Sequence, residues 1–216
     1  MEIHYIDRES GEQKKEKVYG DAAVKFLYQS YWGKFLGPLI TRKSLSKIYG
    51  FFQNSRLSKS KVNQFIQDFQ INMDEFEMEQ IGKVPYSNFN SFFTRKFKAG
   101  RRPFVEKRNL LPAFCEARYY GYKNLMDRDE IPIKGIKFSL ANLLKEQKWH
   151  QTFQGGPVLV ARLCPVDYHR FHFPDDGKIL DVMTNSGKLH SVNPLALKAY
   201  PQVFEENERQ ISVLET

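Results

Sequence analysis

The densest run of side chains able to do chemistry is Asp167-Tyr168-His169-Arg170-Phe171-His172-Phe173-Pro174, which sets two of the chain's five histidines beside a carboxylate and a guanidinium. Imidazole moves protons readily near neutral pH, and a nearby carboxylate orients the ring and supports its charged form. The plainer reading of the same run is a β-hairpin arm with a solvent-facing His-Arg pair. In a regular strand residues three apart point to opposite faces, so His169 and His172 serve one site only if the chain bends or bulges between them. Metal binding is poorly supported, because Cys164, Asp167, His169 and His172 match no common ligand spacing. The chain has no Gly-x-Ser-x-Gly elbow, and Gly155-Gly156 precedes a strand, so it is not a phosphate loop.

The elements that must position this run change in texture along the chain. From Val24, the residues Leu27, Tyr28, Tyr31 and Phe35 recur at helical steps until Gly37-Pro38. A second helix is expected around Leu45, Ile48, Tyr49 and Phe52, and a third around Val62, Phe65, Ile66 and Phe69. After Pro103 short β-rich runs take over, with expected strands at Arg118–Tyr122, Val158–Cys164, Ile179–Met183, Lys188–Val192 and Ile211–Leu214. Turns are expected at Pro174-Asp175-Asp176-Gly177 and Asn185-Ser186-Gly187, and one short helix over Phe138–Leu144. The fold class read from this pattern is α+β, with N-terminal amphipathic helices followed by a mainly antiparallel β domain. A helical membrane-association region over 1–100 and a β-rich catalytic domain over 101–216 are the expected divisions.

Charge is distributed just as unevenly. The net charge of +8 lies entirely in the first half, and from Ala22 to Gln67 there are basic residues and no acidic one. Phe26, Tyr28, Tyr31, Trp32, Phe35, Phe51 and Phe52 interleave with those cations, a composition suited to a helix lying in an anionic membrane interface. An amphipathic helix packed on its own domain has the same pattern, so both readings stand. Nucleic acid is disfavoured, since no recognisable motif is present and the cations are spread over several helices. Cys115 and Cys164, the only cysteines, are too few for a disulfide framework, and no apolar run is long enough to span a bilayer or act as a secretory signal. The expected location is peripheral, on the cytoplasmic side of a membrane.

The residues themselves carry a resemblance. Asp167 to Pro174 with the following Asp176-Gly177 is similar to the hallmark of the phosphatidylserine decarboxylases, and Phe92-Phe93-Thr94-Arg95-Lys96-Phe97-Lys98-Ala99-Gly100-Arg101-Arg102-Pro103 resembles that family's Phe-Phe-Thr-Arg-x-Leu-Lys-x-Gly-x-Arg-Pro segment. Val158 to Pro165, Ser191-Val192-Asn193-Pro194, Asn207-Glu208-Arg209, Tyr31-Trp32-Gly33-Lys34 and Ser55-Arg56-Leu57-Ser58 extend the likeness over nearly the whole chain.

The resemblance implies a proenzyme that cuts itself at a Gly-Ser bond in a Leu-Gly-Ser-Thr-like motif, turning the serine into a pyruvoyl group. It implies His172 as the base that activates this serine, and His169 as the donor, or part of the relay, that returns a proton after carbon dioxide leaves a pyruvoyl Schiff base of phosphatidylserine. Asp167 is implied as a partner that positions the ring. The processed C-terminal α chain would carry the pyruvoyl group, and a homodimer is left open. Two departures stand out. Where the family has an aspartate, the run Pro112-Ala113-Phe114-Cys115-Glu116-Ala117-Arg118 offers Glu116, one methylene longer. The sequence also reaches Glu215-Thr216 without a Leu-Gly-Ser-Thr motif, so the expectation is a truncated N-terminal portion that does not decarboxylate by itself. The alternative from another class is a non-catalytic relative that binds anionic lipid. A decarboxylase of soluble amino acids is disfavoured, because it needs no membrane platform.

Overall fold

The computed structural model describes residues 4–16, 26, 30, 31, 43–78, 86–107, 109–124, 130–133, 136–192, 196, 197, 200 and 202–216. Most of the expected first helix, from Val24 to Phe35, and the Asn193-Pro194 turn lie outside the described residues. Strands β1 (His4–Ile6) and β2 (Gln13–Lys15) come first, then helices α1 (Lys43–Asn54), α2 (Ser60–Phe69) and α3 (Phe89–Phe93). They are followed by β3 (Arg118–Tyr122), β4 (Glu130–Ile133), β5 (Ile136–Ser139), α4 (Leu140–Leu144) and α5 (Gln147–Phe153). The chain closes with β6 (Val158–Arg162), β7 (Lys178–Asn185), α6 (Val203–Glu206) and β8 (Arg209–Glu215). Helices and antiparallel strands together make the expected α+β fold.

Among the described residues four two-stranded sheets form, β1-β2, β3-β6, β4-β5 and β7-β8, of which β4 and β5 pair antiparallel with Ile133 opposite Ile136. The chain divides into two compact units: one of Met1–Leu45, Tyr119–Val160 and Ile179–Glu215, the other of Ser46–Arg118 and Ala161–Lys178. In the first unit Phe138 and Leu140 are buried against Tyr122, Val158, Val160 and Phe204. In the second, Val62 and Phe65 of α2 bury against Tyr86 and Phe92, with the Phe65 and Phe92 rings edge to face at 5.7 Å. Truncating a ring as buried as Phe92 to alanine costs about 3–5 kcal/mol.

Several expectations are corrected by local chemistry. The first third is not helical throughout, because residues 4–15 form a hairpin whose turn is closed by the Gly11 amide on the Asp7 carbonyl at 2.8 Å and by Gly11 at φ +70°. Phe138 and Ser139 belong to β5, and the helix starts only at Leu140, with the Ser139 side chain as its cap. Helix α5 was not anticipated; it buries Trp149, whose indole donates to Asp181 at 2.8 Å. Lys188–Val192 is not a strand: a single parallel bridge joins Lys188 to Asn207. The Asn207 side chain accepts from the His190 amide at 2.8 Å and donates to its carbonyl at 2.9 Å, satisfying the groups a ladder would use. Gly187 is obligatory beside that bridge, since a Cβ there would meet the Glu206 carbonyl oxygen at 2.1 Å.

Helix α1 has the expected apolar stripe, but the stripe is not packed. Ile48 is 66% exposed and Tyr49 62%, while the polar Gln53 is the residue that is buried, at 8%. Among the described residues no helix is long and apolar enough to cross a membrane.

Candidate active site

The second unit holds all the side chains singled out for chemistry, and α3 is the element that organises them. Asn88 accepts from the Ser91 amide at 2.8 Å while the Ser91 hydroxyl accepts from the Asn88 amide, a reciprocal cap that fixes where the helix begins. Phe92 then enters the core, and Phe93, Thr94 and Arg95 emerge at the other end against the segment 164–170.

Arg95 is almost wholly buried and, among the described residues, has no carboxylate partner. Its guanidinium donates to the carbonyls of Val166 at 2.8 Å and Asp167 at 3.2 Å, and lies over the rings of Phe76 and Phe92 at 4.5 and 4.8 Å. Burial pulls its pKa down, but a guanidinium stays charged in any case. The buried Asp167 accepts from Arg118 at 2.5 and 2.6 Å and from the Cys164 amide at 2.6 Å, and its own amide returns a bond to the Cys164 carbonyl at 2.9 Å. These bonds close a tight turn over residues 164–167, so the chain bends between β6 and the histidines.

His169 is a product of that turn. Its Nε2 lies 2.8 Å from the Cys164 carbonyl, which can only accept, so Nε2 carries the proton. Its ring stacks on Phe93 at 4.0 Å. Burial pushes its pKa below the ordinary histidine value, with Arg95 adding to the depression and the Cys164 carbonyl and Asp167 opposing it. The ring is therefore neutral at pH 7, with its lone pair on Nδ1. Among the described residues no hydrogen bond joins Asp167 to the ring; the two are linked through Cys164 and by charge.

His172 sits differently. Its amide donates to the Phe114 carbonyl at 2.8 Å, and Cys115 and Phe171 form an antiparallel bridge, so the run 114–116 lies alongside 171–172. The ring is exposed, with Phe104 edge-on at 5.3 Å and Tyr168 at 6.3 Å, at the end of a series of rings running through Phe97 to Phe76. Glu116 is brought to the same place but its carboxylate turns elsewhere: it accepts from the Tyr168 amide at 2.9 Å and from Arg102 at 3.4 Å. Among the described residues no hydrogen bond joins Glu116 to His172. Arg102, at φ +53°, is itself forked onto Glu75 at 2.8 and 3.0 Å. No group of three or more His, Cys, Asp or Glu side chains among the described residues is gathered as a metal would need.

Comparison with known proteins bears on what this loop is for. A model of the family described as phosphatidylserine decarboxylase matches residues 89–216, the stretch that contains α3 and both histidines. The chain belongs to the phosphatidylserine decarboxylase family. A phosphatidylserine decarboxylase proenzyme of Clostridium novyi (strain NT) is 41% identical over 199 residues, covering 92% of this chain and 66% of that relative. Proenzymes of the same name from Fusobacterium nucleatum subsp. nucleatum and Clostridium botulinum (strain 657 / Type Ba4) are 35% and 39% identical, covering 99% and 98% of this chain and 71% of each relative. The chain thus spans about two thirds of the length of the curated decarboxylases it matches.

Residue reading singled out His169, His172 and Asp167, and the family resemblance added Glu116, but both missed the residues that hold them: Arg95, Arg118, Phe93 and Arg102. The decarboxylase-like segment Phe92–Pro103 was the available signal, since three of the four lie in or beside it.

Proposed function

We propose that this chain is the N-terminal portion of a phosphatidylserine decarboxylase and holds its proton-transfer residues, the complete enzyme converting phosphatidylserine to phosphatidylethanolamine and carbon dioxide. The observation that carries the reading is His169, a half-buried neutral imidazole fixed along its face by Phe93 and at Nε2 by the Cys164 carbonyl. The group it serves is a pyruvoyl derived from a serine outside these 216 residues and carried by the partner α chain. That group supplies an electrophilic carbonyl that takes up the substrate amine and accepts the electrons left when carbon dioxide departs. The residues present suit it, because they offer a neutral base with an apolar flank and, at His172, an exposed ring with no hydrogen-bond partner among the described residues.

With Nε2–H given to the Cys164 carbonyl, Nδ1 is the atom that moves the proton. It takes one from the substrate ammonium, whose amine must be free to react, and the ring then returns it to the carbon that carbon dioxide has left. Asp167 and Arg118 act on this ring by holding the 164–167 turn. His172 takes the hydroxyl proton of the serine during self-cleavage, and Glu116 supports it through the Tyr168 amide, positioning the backbone that leads to His172.

Residues 1–100 are assigned to membrane association, their last stretch also giving Phe93 and Arg95 to the site. The exposed stripe of α1 and the adjoining cations, with Lys61 over the Phe52 ring at 4.9 Å, suit the anionic surface that presents phosphatidylserine, on the cytoplasmic side.

The test uses the full gene product and phosphatidylserine labelled in the serine carboxyl. Chain splitting and labelled carbon dioxide are expected; H172A abolishes both, whereas H169A still splits and loses roughly 10²–10⁴-fold in turnover. Exchange of those two effects reverses the assignment. A folded protein that neither splits nor releases label, yet binds anionic vesicles, supports the second reading, a non-catalytic lipid-binding relative. The engagement of Glu116 with Arg102 and Tyr168 in place of His172 is the observation that favours it.

A further inference from the structure

Beside the histidine loop in the second unit, Arg95, Arg102 and Arg118 each engage a carbonyl or a carboxylate through a terminal nitrogen. Arg95 is spent on backbone carbonyls, Arg102 on Glu75 and Glu116, and Arg118 on Asp167. Arg170 is different. It is half-buried, its Nε donates to the Thr94 carbonyl at 2.8 Å, and neither terminal nitrogen has a partner among the described residues. No carboxylate among the described residues forms an ion pair with it.

We infer that Arg170 binds the phosphodiester of the phosphatidylserine headgroup and so helps to set substrate specificity, an inference that rests on the decarboxylase reading. Three considerations lead there. The Nε bond fixes the plane of the guanidinium and leaves a two-pronged donor open, the geometry that matches two oxygens of a phosphate. The same bond places the fork beside the reacting ring: His169 stacks on Phe93 and Arg170 is tied to Thr94, two consecutive residues at the end of α3. The headgroup offers two anions, and the reaction distinguishes them. A cation held on the serine carboxylate would stabilise the ground state and oppose loss of carbon dioxide, whereas one held on the phosphate binds ground and transition state alike. The phosphodiester is the anion that survives the reaction unchanged, so it is the one that a fixed guanidinium can hold throughout.

The experiment compares wild type, R170K and R170Q in the full gene product. For R170Q the KM for phosphatidylserine rises roughly tenfold to a hundredfold with kcat little changed, the signature of a uniform binding contact, and R170K falls between because an ammonium lacks the fork. Two soluble competitors separate the anions. Glycerophosphoethanolamine has the phosphodiester and no carboxylate; O-methylserine has the carboxylate and no phosphate. Inhibition by the first weakens in R170Q by the same factor as KM, and inhibition by the second stays as in wild type. An unchanged KM overturns the inference, as does weakening confined to O-methylserine. Thermal melting of each sample identifies a folding defect, in which case R170K carries the comparison. Should wild type release no carbon dioxide, the decarboxylase reading fails separately; glycerophosphoethanolamine is then titrated against the His169 ring resonances. Shifts in wild type that vanish in R170Q uphold the contact, and absence of shifts in wild type overturns it.

Discussion

The segment 164–170 and helix α1 are both rich in aromatic and basic neighbours, yet one is locked and the other left open. Along 164–167 the chain's own polar groups are tied: Asp167 meets Arg118 and the Cys164 amide, the Cys164 carbonyl meets His169, and the Val166 and Asp167 carbonyls meet Arg95. On α1 the rings of Tyr49 and Phe51 face outward and a glutamine faces in. Under the proposed function, a region whose geometry must be held for proton transfer is tied by directional bonds that are costly to lose, whereas a surface kept for docking would contribute little to the fold.

The largest expected effect comes from breaking the lock at its centre. R95A leaves two buried carbonyls without a donor and opens space between Phe76 and Phe92, so unfolding stability falls by about 3–5 kcal/mol. Urea denaturation measures it, and R95M, which restores volume without donors, recovers only part. If R95A cost less than about 1 kcal/mol, the loop would not depend on this cation and the contrast with α1 would fail.

A smaller effect follows from the charge state of His169. Its folded-state pKa lies below that of the unfolded chain, so at pH values beneath the unfolded value near 6.5 the unfolded state binds more protons and stability declines. The decline begins as pH falls through the unfolded value and ends once pH is below the folded one. His190, also depressed by burial, adds to the same slope. Stability curves at pH 7 and 5 show the loss, and H169Q lessens it; an identical slope in the variant would mean that the ring is not desolvated in solution.

How much of this was legible in the sequence depends on whether the cause was local. Helices α1 and α2 follow from Leu45–Phe52 and Val62–Phe69 because periodicity is a short-range signal, and β3 and β8 were readable from their β-rich runs. The false strand at Lys188–Val192 arose because its partner role is taken by the side chain of Asn207, 17 residues from His190, which no local pattern reports. The histidines were legible as candidates for chemistry, since their types and crowding are unusual. Their unequal burial was not: it comes from Arg95, 71 residues from Val166, and from Phe93, which reads as an ordinary helix aromatic. The Glu116 substitution was visible as a longer acid, but its bonds to Tyr168 and Arg102 join positions 52 and 14 residues away, which no local pattern reports.

The smallest effect on stability carries the sharpest test of the open face. Phe51 is 80% exposed, so F51S removes almost no buried surface, and its stability should lie within about 0.5 kcal/mol of wild type. The same change removes a ring that would sit at headgroup depth, so partitioning onto vesicles containing anionic lipid should weaken several-fold, and raised salt should weaken the wild type through its cations. The two readouts must separate. A variant that loses stability and keeps vesicle binding would show that Phe51 packs against protein, and α1 would then belong with the locked region instead of opposite it.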